Sequence, residues 1–210
     1  MTAIELTSDA ERRALVQYLE RTVALDNRAV VRLQARGSTL GVWSGPPFEV
    51  VALRAASLAF DADLDVTVSA QRLSQQLTSS GPLELPPQLS GPTWVGLLPP
   101  RVGWEERLRG DVAGVRAAVG SAKQFFRERA AGVDERAELE RIAQDVWERP
   151  CLAEVPVRCG HAAESLGLMG PGDGVAVAYA TDTWVRLAVP GGSVSTRRGY
   201  LPSIAVMPLL

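Results

Sequence analysis

The residues best suited to chemistry lie close together in the second half of the chain, where its two cysteines, Cys151 and Cys159, precede its single histidine, His161. Thiolate and imidazole groups suit zinc, and a thiol beside an imidazole can act as a nucleophile with its base. Their C-x7-C-x-H spacing lacks the closely spaced cysteine pair that a tetrahedral zinc site usually contributes. The favoured interpretation is two half-buried cysteines and a histidine at the start of a helix.

Charge is divided unevenly between two neighbouring segments. Residues 107–129 carry six basic and two acidic side chains, whereas residues 134–148 carry six acidic and two basic ones. If both segments are helices, their charges can neutralise each other or face water, and we favour this interpretation. The alternative is a positive stripe that binds nucleic acid or an acidic partner. The candidate partner-binding residues, of which the first three recur every seven positions, are Arg109, Arg116, Lys123, Arg197 and Arg198.

The first 78 residues, which could help to position these groups, alternate between helix and strand signals. Ser8 and Glu11 form a capping-box pattern that predicts a helix from Ser8 to about Asp26, and Ser69 caps a second, shorter helix. Period-two alternation and short turns predict antiparallel strands between these helices. The predicted strands span residues 29–36, 39–43, 48–59 and 64–68, with turns at Gly37–Ser38, Ser44–Pro47 and Asp61–Asp63, and residues 2–7 could add an edge strand.

The middle of the chain combines a Pro- and Gly-rich connection with the longest helical pattern. Residues 79–103 hold six prolines and four glycines, which is typical of a linker or a functional loop, and one strand is predicted at 93–98. Apolar residues then recur every three or four positions over 104–131, which predicts one long helix. Gly132 ends it, and a second helix over 134–148 completes an antiparallel hairpin.

The C-terminal residues return to short strands. A short helix is predicted at 161–168 and strands at 175–179, 184–189 and 194–197, and a last strand could follow at 204–207. We therefore predict an α+β fold: a mostly antiparallel sheet built from N- and C-terminal strands, with a central antiparallel helical hairpin. Residues 1–210 are predicted to form a single unit. The alternative division is 1–78, a connection at 79–103, and 104–210.

The order of elements resembles two known folds. The N-terminal order of strand, helix, strands and helix is similar to half of one domain of a DNA sliding clamp, and residues 64–77 (LDVTVSAQRLSQQL) pass from strand into helix in a similar way. That resemblance covers residues 1–78 at most, ends before 104–148, and implies a fold rather than a function. The later helix, turn, helix and hairpin resemble a winged helix-turn-helix, but its second helix, HAAESLGL, lacks Arg, Lys, Asn and Gln for reading base edges.

Composition narrows the function classes. The formal net charge of −2 provides no general attraction to nucleic acid or anionic lipid, and no apolar run reaches the length of a membrane span. Residues 1–11 lack the pattern of a secretory signal, and two cysteines do not make a disulfide framework, so a cytoplasmic location is expected. The ratio of one Lys to 21 Arg indicates a high-GC genome. The chain lacks P-loop and G-x-S-x-G motifs, and no cofactor is predicted.

These observations favour a non-catalytic intracellular protein that binds or regulates another protein, with an unknown protein or a second copy of the chain as its partner. A nucleic-acid-associated accessory protein that uses the arginine-rich surface is the alternative. A thiol- or metal-dependent enzyme centred on Cys159 and His161 is the second alternative.

Overall fold

A computed structural model describes residues 4–78 and 83–199 and contains a six-stranded antiparallel sheet with helices against it. The helices are α1 (Asp9–Leu25), α2 (Ala70–Leu77), α3 (Val112–Ala130), α4 (Arg136–Trp147) and α5 (Val157–Ser165). The strands are β1 (Val30–Ser44), β2 (Val51–Ser69), β3 (Glu105–Asp111), β4 (Pro150–Leu152), β5 (Val155–Pro156), β6 (Val175–Ala180), β7 (Trp184–Val189) and β8 (Gly192–Arg197).

The main sheet has the order β1-β2-β8-β7-β6-β3, and β4 pairs with β5 in a separate short hairpin. β2 and β8 are joined antiparallel, with Val51 opposite Ser195 and Leu53 opposite Ser193. N-terminal and C-terminal strands therefore share one sheet, which confirms the predicted α+β fold. No helix in the part of the chain that the structure describes is long and apolar enough to cross a membrane.

The N-terminal helix begins and packs as its sequence indicates. The Ser8 hydroxyl accepts a hydrogen bond from the Glu11 amide at 3.2 Å, which satisfies one of the free donors of the first turn. Leu15 and Leu19 are fully buried on the inner face of α1. The predicted edge strand at 2–7 is reduced, within the described residues, to single bridges at Ile4 and Leu6.

The four predicted strands between α1 and α2 are two long strands, so the turns expected at Gly37–Ser38 and Asp61–Asp63 are wrong. β1 and β2 pair along their length, and the register shifts between Gly37, opposite Ala62, and Thr39, opposite Ser57. Gly37 has a φ of 59°, which a residue without a Cβ adopts readily. Turn-forming residues also mark irregularities within a strand pair, and here they form a bulge.

The single helix predicted over 104–131 is also wrong in its first part. Residues 105–111 form the edge strand β3, in which Arg109 lies opposite Val177 of β6. The helix α3 begins only at Val112, and the Asp111 carboxylate caps it by accepting the Gly114 amide. Apolar residues four positions apart lie on one face of a strand as well as on one face of a helix. The spacing of Trp104 and Leu108 therefore does not distinguish a helix from a strand.

The helical hairpin itself is present. α3 and α4 share a small apolar cluster of Val119, Ala122, Ile142 and Val146. The next helix, α5, begins four residues before the predicted His161 and is mostly buried. A buried helix cannot serve as a recognition helix, so the resemblance to a winged helix-turn-helix is not supported. The strand expected at 204–207 lies outside the described residues.

The last part of the Pro- and Gly-rich connection packs on the outer face of the sheet, whereas Leu83 and Leu85 pack with the main core. Neighbouring strand residues point to opposite faces, so Val42 faces the main core while Trp43 faces outward into a second cluster. Residues 93–96 form a 3-10 turn instead of the predicted strand, and Trp94 packs into this outer cluster. The outer cluster comprises Trp43, Val51, Trp184, Leu53, Trp94, Leu98 and Trp104.

Candidate functional site

The three basic residues predicted to share one helix face lie on different elements and contact different partners. Arg109 is on β3 and pairs with Glu106 at 2.8 Å, and both side chains are exposed. Arg116 of α3 donates hydrogen bonds to the carbonyl groups of Gly170 and Gly172. Lys123 of α3 pairs with Glu164 of α5 at 2.7 Å. The seven-residue spacing therefore does not produce a continuous positive stripe.

The two C-terminal arginines lie beside a third arginine at the end of the sheet. Arg198 pairs with Glu154 at 2.5 Å, and the same carboxylate lies 3.4 Å from Arg107. Arg197 is exposed, and its guanidinium lies 5.6 Å from the centre of the Trp184 ring. Arg107 also pairs with Glu105 at 3.2 Å. Glu154 thus joins Arg107 to Arg198, and we call these two residues, together with the adjacent Arg197, the basic group.

The acidic helix α4 satisfies much of its own charge. Arg136 pairs with Glu140 at 2.8 Å, and Arg141 pairs with Glu138 at 2.6 Å, both one turn apart along the helix. Because these pairs are exposed to solvent, each contributes little to stability. These two ion pairs of α4 therefore run along its own surface. Glu148, at the end of α4, and Lys123 of α3 each pair with a residue of α5.

Cys159 is buried and Cys151 is half-buried, and neither thiol is activated by its surroundings. Burial raises the pKa of Cys151 to about 11 and raises that of Cys159 further. Cys159 and His161 are two positions apart on α5, so their side chains do not face each other. Among residues 4–78 and 83–199, no group of three or more His, Cys, Asp or Glu side chains is arranged to hold a metal ion.

His161 belongs instead to an aromatic group contributed by three elements. Its ring stacks on Trp147, at the end of α4, with the centroids 4.9 Å apart. Phe48, in the turn between β1 and β2, approaches His161 edge-on at 4.8 Å. Burial lowers the pKa of His161 to about 4, and the charge of Lys123 adds to that effect. The imidazole is therefore neutral near pH 7, and the structure describes no hydrogen-bond partner for its buried Nδ1.

A buried arginine lies beside this aromatic group. Arg158 of α5 is only 2% exposed, and it lies between the carboxylates of Glu148 and Glu49. Its Nε is 3.2 Å from Glu148 Oε1, and its Nη1 is 3.8 Å from Glu49 Oε2. Burial raises the pKa of both carboxyl groups, and the positive charge of Arg158 opposes that shift. The group is thus a desolvated ion triad with poor hydrogen-bond alignment.

Two parts of the chain that are distant in sequence meet at this site. We use the name α5 shelf for four residues: Trp147 at the end of α4, Glu148 directly after it, and Arg158 and His161 of α5. The 45–50 turn, which joins β1 to β2, places Phe48 and Glu49 on this shelf. Such a shelf can hold an aromatic ring and a carboxylate next to each other.

Sequence reasoning identified His161 but missed the rest of the site. One signal was present: Arg158 is the only charged residue in the stretch Val155–Ala163. A lone arginine among small and apolar residues of a helix indicates a buried charge with a partner elsewhere. Nothing in the sequence indicated that Glu49, more than 100 positions away, would supply that partner.

Two families match the chain, one in each half. Residues 1–96 match the family described as "Domain of unknown function (DUF8010)", and residues 99–201 match the one described as "Domain of unknown function (DUF8185)". The boundary between the two matches lies within the Pro- and Gly-rich connection. No curated protein matches the chain significantly.

Several solved DNA polymerase sliding clamps are similar to almost the whole chain. The DNA polymerase III subunit beta of Borrelia burgdorferi aligns with 96% of this chain and 66% of its own, at a TM-score of 0.56 and 10% identity. The sliding clamp of Bartonella birtlesii aligns with 95% of this chain and 66% of its own, at a TM-score of 0.56 and 12% identity. The sliding clamp of C. crescentus aligns with 96% of this chain and 66% of its own, at a TM-score of 0.54 and 14% identity.

This chain spans 66% of the length of each of these clamp chains. The similarity extends well beyond residues 1–78, so the resemblance inferred from the N-terminal elements was too narrow. At this level of identity the likeness concerns the fold alone. The protein is therefore an α+β protein with a fold similar to that of bacterial DNA polymerase sliding clamps.

Proposed function

We propose that the protein is a non-catalytic, DNA-associated protein that acts by binding other macromolecules. The observation that carries this proposal is the similarity of its fold, over 96% of the chain, to proteins described as DNA polymerase sliding clamps. The raised pKa of both thiols argues against a thiol-dependent enzyme, because a protonated thiol is a poor nucleophile.

Any contact with DNA has to be local, because the net charge of −2 provides no long-range attraction. The basic group Arg107, Arg197 and Arg198 supports such a contact, because its three arginines face only two carboxylates. Glu154 pairs with Arg107 and Arg198, and Glu105 pairs with Arg107. The other candidates are less available, since Lys123 is paired with Glu164 and Arg116 is held by backbone carbonyls. We therefore assign the DNA-facing role to the end of the sheet where β8 terminates.

The test is fluorescence anisotropy of a labelled DNA duplex at salt concentrations between about 50 and 200 mM. The expected result is weak binding that falls as salt rises, with a salt slope reduced by about 2 in Arg197→Ala/Arg198→Ala. The matched control is Arg136→Ala/Arg141→Ala on α4, which also removes two exposed arginines and should leave the slope unchanged. Absence of binding at low salt, or binding that ignores salt, would overturn the DNA-associated role.

The protein partner is a different protein or a second copy of this chain. The edge strand β3 carries exposed charges at Glu105, Glu106, Arg107 and Arg109, and such charges oppose edge-to-edge pairing of sheets. We therefore favour a different protein. Light scattering coupled to gel filtration tests this. The mass of one chain at every protein concentration supports a different protein, and a mass of two or more chains, or one that rises with concentration, supports self-association.

A further inference from the structure

The 45–50 turn and the α5 shelf come from opposite halves of the chain. The turn lies within residues 1–96 and the shelf within residues 99–201, the ranges matched by two separate families. Phe48 contributes an edge-on contact to His161, and Glu49 contributes a carboxylate near Arg158. The turn thus fills a site that the other half builds.

The turn does not fit this site well. Glu49 has a φ of 54°, a left-handed conformation that residues other than glycine adopt at a cost. Its Oε2 atom is buried, and the structure describes no hydrogen-bond partner for it or for Nε and Nη1 of Arg158. Buried polar groups in folded proteins are almost always hydrogen-bonded. A ligand that aligned its carboxylate with Arg158 without backbone strain would fit the site better than the turn does.

We propose that the α5 shelf is a docking site for a protein segment in which an aromatic residue is followed directly by an acidic residue, and that Phe48–Glu49 occupies this site in cis. The inference rests on the protein-binding part of the proposed function and names the chemistry of its partner. It does not involve the basic group at the end of β8.

The chemistry of the shelf selects both features of the segment. The His161 ring, held flat on Trp147, presents a surface for the edge of another aromatic ring. Arg158 supplies a fixed cation with two unmatched N–H groups, which favours a carboxylate. Glu148 on the far side of Arg158 repels further acidic residues, so the segment carries one carboxylate at this position.

Two further charged side chains lie close to His161. Around His161, Lys123 of α3 lies on one side and Glu164 of α5 on the other, and these two pair with each other at 2.7 Å. That pair is satisfied without any ligand. Arg158 is therefore the cation of this site whose donors remain unmatched.

The experiment uses a labelled peptide with the sequence SGPPFEVV, which is the chain's own residues 44–51. It is titrated against the wild-type protein and against Phe48→Ala/Glu49→Ala, which empties the shelf. The variant should bind about tenfold more tightly than wild type, because the turn no longer competes. A control peptide in which both Phe and Glu are replaced by Ala should not bind either protein.

A second measurement keeps the test decisive if the double variant does not fold. Hydrogen exchange of wild-type protein with excess SGPPFEVV should show faster exchange in the 45–50 turn and unchanged or slower exchange in α5. Glu49→Gly, which removes the carboxylate and suits the left-handed backbone, provides a second folded recipient for the peptide.

Equal binding of the two peptides, or no binding to any folded variant together with an unchanged turn in hydrogen exchange, would overturn the docking site. The DNA titration is independent of the shelf, so a failed peptide experiment leaves the DNA-associated role standing. Conversely, a failed DNA titration leaves the peptide result intact.

Discussion

The imidazole of His161 stacks on the indole of Trp147, with ring centroids 4.9 Å apart and ring planes 22° from parallel. This contact joins the end of α4 to the middle of α5 and provides the surface on which Phe48 rests. Because the site is buried, the imidazole is kept neutral, and its pKa is lowered from 6.5 to about 4. The stability of the fold must therefore depend on pH through this residue.

The first prediction concerns that dependence. Below pH 6.5 the unfolded chain protonates His161 while the folded chain does not, so stability is lost as pH falls from 6.5 towards 4. The full loss is about 3 kcal/mol. His161→Phe keeps a ring in the stack and removes the titrating group. Urea unfolding across this range should show that the free energy of unfolding of the variant rises relative to that of the wild type as pH falls.

Two neighbouring carboxyl groups act in the opposite direction. Burial raises the pKa of Glu49 and Glu148, so their contribution is most favourable at low pH and is lost as pH rises past 4.5. Both are present in wild type and in His161→Phe, so they cancel in the difference between the two proteins. A difference that stays constant between pH 6.5 and 4 would contradict the neutral imidazole.

The second prediction concerns the ion triad. Arg158→Met leaves two carboxylates without their cation and should destabilise the protein by about 3 kcal/mol, the low end for a broken buried pair because Glu148 is partly exposed. Removing the charges together, in Glu49→Gln/Glu148→Gln/Arg158→Met, should restore most of that loss. Urea unfolding at pH 7 measures both. A triple variant no more stable than Arg158→Met would show that packing, and not charge, holds Arg158 in place.

Local structure was predictable where a side chain directly contacts its own backbone. The Ser8 and Ser69 hydroxyls accept amide hydrogen bonds at the starts of α1 and α2, as the sequence indicates. Strands β6, β7 and β8 follow from alternation between turn residues. The helix predicted over residues 104–111 is wrong because a short run of apolar spacing fits the period of a helix and that of a strand equally well.

The site was less predictable because its parts meet only through tertiary packing. Glu49 and Arg158 lie in different halves, and their approach depends on the pairing of β2 with β8. Likewise, the seven-residue spacing of Arg109, Arg116 and Lys123 does not place them on one helix face, because Arg109 lies in a strand. Charge patterns on a sequence report a shared face only when the segment is one continuous helix.

The third prediction concerns the connection across the outer face of the sheet. A Cβ at Gly45 would lie 2.7 Å from the Trp94 ring, so Gly45→Ala must displace that ring. We expect a loss of about 1–3 kcal/mol, typical of overpacking, and a shift in tryptophan fluorescence. Gly96→Ala is the matched control, because a Cβ there meets nothing within 4 Å. Equal stability of the two variants would mean that the connection is not packed against the sheet.

The fourth prediction returns to the thiols. A pKa of about 11 leaves Cys151 almost entirely protonated at pH 8, and Cys159 is completely buried. Because the thiolate is the reactive form, a disulfide reagent should modify the native protein about a hundredfold more slowly than a free thiol, or slower still. In denaturant both cysteines should react at the rate of free thiols. Cys151→Ser distinguishes the two positions, since its remaining thiol should react only when the chain unfolds. Rapid modification of one thiol in the folded protein would contradict this picture and favour a thiol-dependent enzyme.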